Sequence, residues 1–183
     1  MEDNPPFILA TAPAPPRQLF SGSEIASRVT VLGKEIAATL PAGPILAVGI
    51  LRGAFVFMAD LVRAINREVG CDFLAVRSYG SATETSGVVQ ITHDLSTPIA
   101  GQHVLVVEDI VDTGLTLRHL LDVLATRRPA SIHVCALLNK PSRRRTQVPL
   151  HFLGFEIPDV FVVGYGLDHD QRHRNLPYLG IIE

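Results

Sequence analysis

The first regular pattern in the chain is an amphipathic helix that follows a proline-rich arm. Ser21 and Glu24 have the spacing of a capping box, in which each side chain bonds the backbone of the other residue. Apolar residues then recur at helical spacing, at Ile25, Val29, Leu32, Ile36 and Leu40. The helix is predicted to stop at Pro41, because the prolines and glycine of the next four residues cannot continue it.

Strand-like and helix-like segments alternate after this helix. The predicted strands are 45–50, 72–77, 88–92, 103–109 and 131–139, and the predicted helices are 54–69 and 115–127. This alternation favours an α/β fold, in which a mostly parallel central sheet is flanked by helices. Shorter strands and loops follow Val148, and we expect them to form a small lobe, or hood, from the terminal segments of the chain.

Composition indicates one globular domain. The chain has 183 residues, of which 47% are hydrophobic and 19% charged, enough to bury a full core. Five of the 13 prolines lie within residues 1–20, so we divide the chain into a Pro-rich arm and a single domain at 21–183. The net charge of −2 argues against binding nucleic acid or an acidic membrane through bulk charge.

Cysteine usage and the apolar stretches favour a reduced, cytoplasmic protein. Cys71 and Cys135 lie in apolar runs without metal-type spacing, and we expect both to be buried. Glu2 and Asp3 stand where a signal peptide would carry positive charge. The longest apolar stretch, 45–62, is interrupted by Arg52, Gly53 and Asp60, so it is a poor membrane span.

The stretch VLVVEDIVDTGLTL, residues 104–117, carries the chemistry. Glu108 and Asp109 end a buried strand, which is where open α/β sheets bind ligands. Thr113, Gly114 and Thr116 then lead into a helix whose free N–H groups can hold phosphate. Carboxylates can bind a sugar diol or Mg²⁺, so the whole loop suits a sugar phosphate. The alternative, that the acids only cap the helix, would explain the third acid, Asp112, but not all three.

Several segments together resemble one family. VLVVEDIVDTGLT resembles the loop of type I phosphoribosyltransferases that binds 5-phosphoribosyl 1-pyrophosphate (PRPP). LRGAFVFMADL (51–61), SYGSATETSG (78–87), LLNKPSRRR (137–145), GFEIPDVFVVGYGLD (154–168) and RNLPYLG (174–180) narrow the resemblance to the hypoxanthine–guanine phosphoribosyltransferase family. It extends over residues 20–183 and implies that fold, a magnesium cofactor and a homodimer or homotetramer.

The resemblance also implies roles for individual residues. PRPP would be bound by Glu108, Asp109, Asp112, Thr113, Gly114, Leu115, Thr116, Arg52, Gly53 and Arg144, with Mg²⁺ on Glu108, Asp109 and Asp168. The purine would contact Lys140, Phe161, Val162 and Asp168, and Ser78 and Tyr79 would belong to a mobile lid. Arg52 follows a peptide bond that would be cis. Two positions depart from the family pattern: Leu115, where some relatives have lysine, and the apolar Val160.

Each of these segments also has a plainer interpretation. The turn at Arg52 could be a glycine turn with a solvated arginine, the KPSRRR run a solvated basic loop, and residues 78–87 an ordinary hairpin loop. A lysine ammonium only donates hydrogen bonds, so Lys140 would favour a 6-oxopurine over adenine. His169 and His173 are four residues apart but lie in a stretch without apolar periodicity, so we expect both at the surface.

The implied reaction transfers the phosphoribosyl group of PRPP to hypoxanthine or guanine, giving IMP or GMP and pyrophosphate. Asp112 is the candidate general base for the purine N7 proton, and Glu108 and Asp109 would hold the ribose hydroxyls, directly or through metal-bound water. One alternative is a different purine specificity, such as xanthine. Another is a PRPP-sensing regulator, which would need a basic face or an added nucleic-acid-binding domain that this sequence does not show.

Overall fold

The computed structural model describes residues 14–78 and 89–182, which form two sheets and three α-helices. In chain order the elements are β1 (Arg17–Phe20), α1 (Gly22–Thr39), β2 (Ile45–Leu51), α2 (Phe55–Ala64), β3 (Val69–Ser78), β4 (Val89–His93), β5 (His103–Val111), α3 (Leu115–Thr126), β6 (Ser131–Asn139), β7 (Phe152–Glu156), β8 (Phe161–Val163) and β9 (Leu179–Ile182). The capping box predicted at the start of α1 is present, because Ser21 and Glu24 bond each other's backbone N–H.

The large sheet has six strands in the order β4-β3-β2-β5-β6-β7. All neighbours are parallel except β3 and β4, which form an antiparallel pair. The predicted α/β fold with a mostly parallel central sheet is therefore confirmed. The carboxyl ends of the parallel strands lie along one edge of the sheet, where ligand sites are expected.

Side chains of the central strands alternate between two cores. Ala47, Leu105 and Cys135 face the core that α1 and α2 cover. Val48, Val106 and Val134 face the opposite core, which α3 covers. Burial on both faces explains why these strands are continuously apolar in sequence.

The small sheet joins the two ends of the described chain, and it is the hood that the sequence predicts. Its order is β1-β9-β8, with both pairs antiparallel. Strand β1 begins at Arg17, so the last four residues of the proline-rich arm belong to this sheet. Phe20 of β1 stacks on Phe155 of β7 with ring centroids 4.1 Å apart, which packs the small sheet against the large one.

The structure corrects three details of the sequence analysis. Helix α2 ends at Ala64 instead of residue 69, because the chain turns there to start β3 beside Ile45. Strand β7, expected in the small lobe, pairs with β6 as the edge of the large sheet. Cys135 is buried as predicted, but Cys71 is exposed; it lies in the part of β3 that precedes the pairing with β4, which starts at Ala75. Among the described helices, none is long and apolar enough to cross a membrane.

Candidate active site

Three strand ends build the site at one edge of the large sheet. Strand β5 pairs with β2 as far as Gly49 and Val107, and the pairing of these two strands ends there. Glu108 and Asp109 therefore stand opposite the turn that follows β2, whose Leu51–Arg52 peptide bond is cis, as the resemblance implies. Strand β6 ends beside them, since Lys140 donates its backbone N–H to the carbonyl of Val111 at 3.0 Å.

The turn at Gly53 approaches β5 without space for a side chain. A Cβ atom built on Gly53 would lie 1.4 Å from Oδ2 of Asp109. Gly166 of the C-terminal segment packs on the other side, because a Cβ there would lie 2.3 Å from the Gly53 carbonyl oxygen. Both glycines are therefore required by close packing around the turn.

The two acids near the C-terminal end of β5, which continues to Val111, are held in a poorly hydrated position. Burial raises the pKa of the Glu108 carboxyl well above its ordinary value, and the charge of Asp109 raises it further. Burial also raises the pKa of Asp109 to about 6, against the hydrogen bond that its Oδ1 accepts from the Ile110 N–H at 2.7 Å. Oε2 of Glu108 is buried without a hydrogen-bond partner. A cation or a donor group would satisfy this oxygen.

This donor set fits a magnesium ion held together with a substrate. Within residues 14–78 and 89–182, no three acidic, histidine or cysteine side chains converge to hold a metal on their own. Magnesium is commonly bound by one or two carboxylates plus substrate phosphates, which is what Glu108 and Asp109 offer. Asp168 is already engaged, because its Oδ1 lies 2.6 Å from the Arg174 guanidinium and its Oδ2 accepts the N–H of Gln171 at 2.8 Å.

The segment from Asp112 to Thr116, the predicted phosphate loop, leads into the start of α3. Gly114 is the N-cap of α3 and has φ +81°, and no side chain caps the helix there. The Thr113 hydroxyl accepts the N–H of Leu115 at 3.4 Å and so bridges the loop. Residues 108–114, 116 and 117 line a cavity of about 200 Å³. An uncapped helix start beside a glycine is a ready site for phosphate.

Arg144 lies behind this loop and supports it. Its guanidinium bonds the side-chain oxygen of Asn139 and the carbonyl of Val111. A Cβ on Gly114 would lie 3.1 Å from Nη1 of Arg144, and that nitrogen is buried without a hydrogen-bond partner. Burial lowers the pKa of this guanidinium. Arg144 therefore places positive charge beneath the phosphate loop, and its contact with pyrophosphate stays a prediction.

A chain of ion pairs connects the predicted general base to the predicted purine lysine. Nε of Arg143 lies 3.3 Å from Oδ1 of Asp112, and the same guanidinium lies 3.4 Å from Oδ2 of Asp159. The other oxygen of Asp159 lies 3.7 Å from Nζ of Lys140. Sequence analysis did not find Arg143 or Asp159, because ion pairs between distant segments leave no periodic signal.

Phe161 offers an exposed aromatic face beside these charges. Its side chain opens β8 and is 51% exposed, whereas Val162 and Val163 are buried. His169 is exposed, as predicted, and its ring meets Phe161 edge-on with centroids 5.2 Å apart. Among the strands that the structure describes, β8 is an edge of the small sheet, and one side of its backbone at Val162 has no partner there. An exposed ring beside an unpaired strand edge suits a planar heterocycle.

The C-terminal segment closes the site around Arg52. The Gln171 side-chain oxygen accepts one hydrogen bond from Arg52 at 3.2 Å and another from Arg174 at 3.4 Å. Arg174 also donates to the carbonyl of Gly166 at 2.8 Å. Gln171 is a further residue that sequence analysis missed, since an isolated glutamine in a polar loop carries no pattern. The structure thus brings the predicted residues of β2, β5 and the C-terminal segment to one place.

The predicted lid lies mostly outside the described residues. Ser78 is the last residue of β3, where its backbone pairs with Val89. Tyr79 and the rest of the predicted lid lie outside the described ranges, so the lid stays a prediction.

The chain is similar to known phosphoribosyltransferases. Residues 17–170 match the phosphoribosyl transferase domain. The chain is 50% identical over 165 residues to a hypoxanthine phosphoribosyltransferase of Haemophilus influenzae, covering 88% of this chain and 92% of the relative. It is 46% identical to a hypoxanthine-guanine phosphoribosyltransferase of Bacillus subtilis, with 90% and 92% covered. A crystal structure of such an enzyme from Bacillus anthracis aligns with a TM-score of 0.87 at 40% identity, covering 91% of this chain and 98% of that one.

The fold, the site and these comparisons show that the chain belongs to the phosphoribosyl transferase family, and within it to the hypoxanthine–guanine phosphoribosyltransferases. It is therefore an enzyme of phosphoribosyl transfer that acts on small molecules. The family expected from the sequence motifs is confirmed.

Proposed function

We propose that the protein is a purine-salvage enzyme that transfers the 5-phosphoribosyl group of PRPP to hypoxanthine and guanine, giving IMP and GMP plus pyrophosphate. The observation that carries the proposal is the position of Lys140 and Asp112, joined by one chain of ion pairs at the same sheet edge as the phosphate loop. The same two bases appear in the names of relatives at 46–50% identity.

Each half of the site has its own task in this reaction. The loop Asp112–Thr116 binds the 5-phosphate through the uncapped start of α3. Arg52 stabilises the negative charge that develops on the departing pyrophosphate. Phe161 stacks on the purine and Lys140 donates to its 6-oxygen, which orients the ring towards the sugar.

The chemical step is a displacement at the anomeric carbon. The bond from that carbon to the pyrophosphate oxygen breaks, and pyrophosphate leaves with the electron pair. The purine N9 forms the new bond with inversion, and Asp112 accepts the proton released from N7. Because the sugar passes through an oxocarbenium-like state, positioning and charge stabilisation contribute more than nucleophile strength.

Magnesium is the proposed cofactor, and Glu108 and Asp109 would hold it with the substrate's oxygens. When bound, it would supply positive charge that neutralises the pyrophosphate. The buried, unpartnered Oε2 of Glu108 supports this assignment.

The test is turnover with PRPP and Mg²⁺, offering hypoxanthine, guanine, xanthine and adenine separately. We expect product from hypoxanthine and guanine and none from adenine. Asp112→Asn should lower kcat by about 10²–10⁴, the usual contribution of a general base. Asp122→Asn is the matched control, because Asp122 is an exposed acid on α3, outside the site.

Two results would overturn the proposal. Absence of product with every base, although PRPP binds, would favour the PRPP-sensing regulator. Equal rates for adenine and hypoxanthine would remove the assigned role of Lys140 in choosing the base.

A further inference from the structure

Lys140 is held in a nearly buried position by one carboxylate. Only 10% of its side chain is exposed, compared with 49% for the side chain of Asp159. Among the residues that the structure describes, the acid within ion-pair distance of its ammonium is Asp159, at 3.7 Å. The pair is thus largely shielded from water at the lysine end, where a charge interaction is stronger than at the open surface.

The backbone fixes Asp159 in this position. It lies in the connection from the large sheet, after β7, to β8 of the small sheet. Ile157 donates its N–H to the carbonyl of Asn139 at 2.9 Å, which ties the connection to the end of β6 beside Lys140. Val160 donates to the carbonyl of Pro158 at 2.9 Å and closes the turn around Asp159. Two residues later the chain reaches the exposed ring of Phe161.

A partner for Lys140 limits the directions in which its ammonium can point. Its four-carbon stem carries about 2 kcal/mol of rotamer entropy, so a free Lys140 ammonium would sample many directions. One carboxylate in a backbone-fixed turn favours the direction in which the ammonium lies beside the strand that carries the stacking ring. A donor fixed there meets a 6-oxygen favourably and a 6-amino group unfavourably.

We propose that Asp159 is a positioning residue for base specificity: by pairing with Lys140 it directs the ammonium towards position 6 of the purine. The inference rests on the proposed function and deepens it, because it assigns the preference for 6-oxopurines to a pair of residues. Asp159 acts through Lys140 and does not itself contact the reacting atoms.

Asp159 also shares the guanidinium of Arg143 with Asp112, so the two connections must be separated. If Asp159 acts through Lys140, replacing Arg143 leaves its effect in place. If it acts only by drawing Arg143 away from Asp112, its effect disappears when Arg143 is replaced. A set of double variants distinguishes these outcomes.

The measurement is the affinity of the purified protein for IMP and for AMP, obtained by calorimetric titration. The two nucleotides differ at purine position 6, and binding does not require turnover. We expect Asp159→Asn to lower the ratio of IMP to AMP affinity by about tenfold or more, as when a hydrogen bond to a charged group is lost. Asp159→Glu should restore part of the ratio. Asp122→Asn, which removes an exposed acid elsewhere, should leave it unchanged.

The double variants complete the test. Asp159→Asn should still lower the ratio in the Arg143→Gln background and should have no further effect in the Lys140→Met background. An unchanged ratio in Asp159→Asn, or an effect that vanishes with Arg143→Gln, would overturn the inference. A wild-type protein that binds IMP and AMP equally would overturn it too. Absence of turnover alone would count against the proposed function and not against this pairing, since the two are measured separately. Circular dichroism of each variant confirms that the fold is kept.

Discussion

Asp109 and Gly53 lie so close together that one methyl group on Gly53 would sit 1.4 Å from the Asp109 carboxylate. Asp109 lies near the C-terminal end of β5, and Gly53 lies in the turn after β2. Their contact sets the distance between the acids and the neighbouring Arg52. The geometry of the proposed pyrophosphate and metal site therefore depends on the absence of a side chain at position 53.

Gly53→Ala should lower activity strongly while leaving most of the fold intact. The added methyl group must displace either the Asp109 carboxylate or the turn, and a displacement of about 1 Å at a reacting centre can cost about 10²-fold in rate. Steady-state turnover and circular dichroism together test this. The control is Gly70→Ala, where the new Cβ would meet Leu46 at an ordinary 3.4 Å. Equal activity of both variants would contradict the argument.

Glu108→Gln should make the metal-free protein more stable and should raise the Mg²⁺ concentration that the enzyme needs for activity. The folded-state pKa of Glu108 lies above its unfolded value, so its ionised form destabilises the native state at neutral pH. Removing that charge should raise Tm by about 2–4 °C for each kcal/mol relieved. Half-maximal rate should then require more Mg²⁺, because a carboxylate ligand is lost.

Differential scanning calorimetry in chelator-treated buffer measures the first effect, and a Mg²⁺ titration of the rate measures the second. Glu68→Gln is the matched control, since Glu68 is exposed and lies outside the site. A lower Tm in Glu108→Gln would show that the buried carboxylate has a stabilising partner.

Phe161 and Phe155 should respond in opposite ways to replacement by alanine. Phe161 is half-exposed, so its loss should leave stability nearly unchanged and raise KM for the purine, since base stacking contributes about 1–3 kcal/mol. Phe155 stacks on Phe20 between the two sheets, so its loss should lower Tm. Thermal unfolding and KM measured on both variants give the comparison. A large fall in Tm for Phe161→Ala would contradict a binding role.

His133 and His151, near the amino-terminal ends of β6 and β7, should make stability sensitive to pH. Burial lowers the pKa of His133 and of His151, and the nearby charges of His151 and His103 lower that of His133 further. A lowered folded-state pKa means that the native state binds protons less readily than the unfolded chain. The stability that depends on these histidines being neutral is therefore fully present above pH 6.5, the ordinary pKa of histidine. It is lost as the pH falls through 6.5 towards the lowered pKa values of the folded state.

Urea unfolding at pH 7.5 and 5.5 checks this expectation. The double variant His133→Gln, His151→Asn should lose less stability between the two pH values than the wild type. Asparagine keeps an acceptor for the Val134 N–H, which His151 accepts at 3.0 Å. The comparison between the two proteins cancels the titration of Asp109, whose pKa of about 6 lies in the same range. An equal loss of stability in the wild type and the double variant would contradict this expectation.

Local patterns predicted the fold where one element decides its own structure. The capping box at Ser21 and the apolar spacing of α1 are set within a few residues, and so are the buried runs of β2, β5 and β6. Phe152 behaves differently, because only its pairing with Cys135 places β7 in the large sheet. The end of α2 likewise follows from the register of Val69 beside Ile45, which the helix sequence does not contain.

The same distinction applies to the site. Glu108, Asp109 and Gly114 belong to one contiguous motif whose chemistry is visible in sequence. Asp159 gains its importance only when the β7–β8 connection lies against Lys140, nineteen residues earlier in the chain. Gln171 likewise becomes a bridge only when the C-terminal segment meets the turn after β2.

Because of the small sheet, the two halves of the site are completed at different times during translation. Strand β9 lies between β1 and β8, so neither of those strands has its small-sheet partner until Leu179–Ile182 has emerged from the ribosome. A nascent chain can assemble the acids and the phosphate loop from residues synthesised much earlier. The sheet that presents Phe161 is completed last. We therefore expect a chain stalled shortly before Leu179 to hold the phosphate end of its substrate but to lack the surface that selects a base.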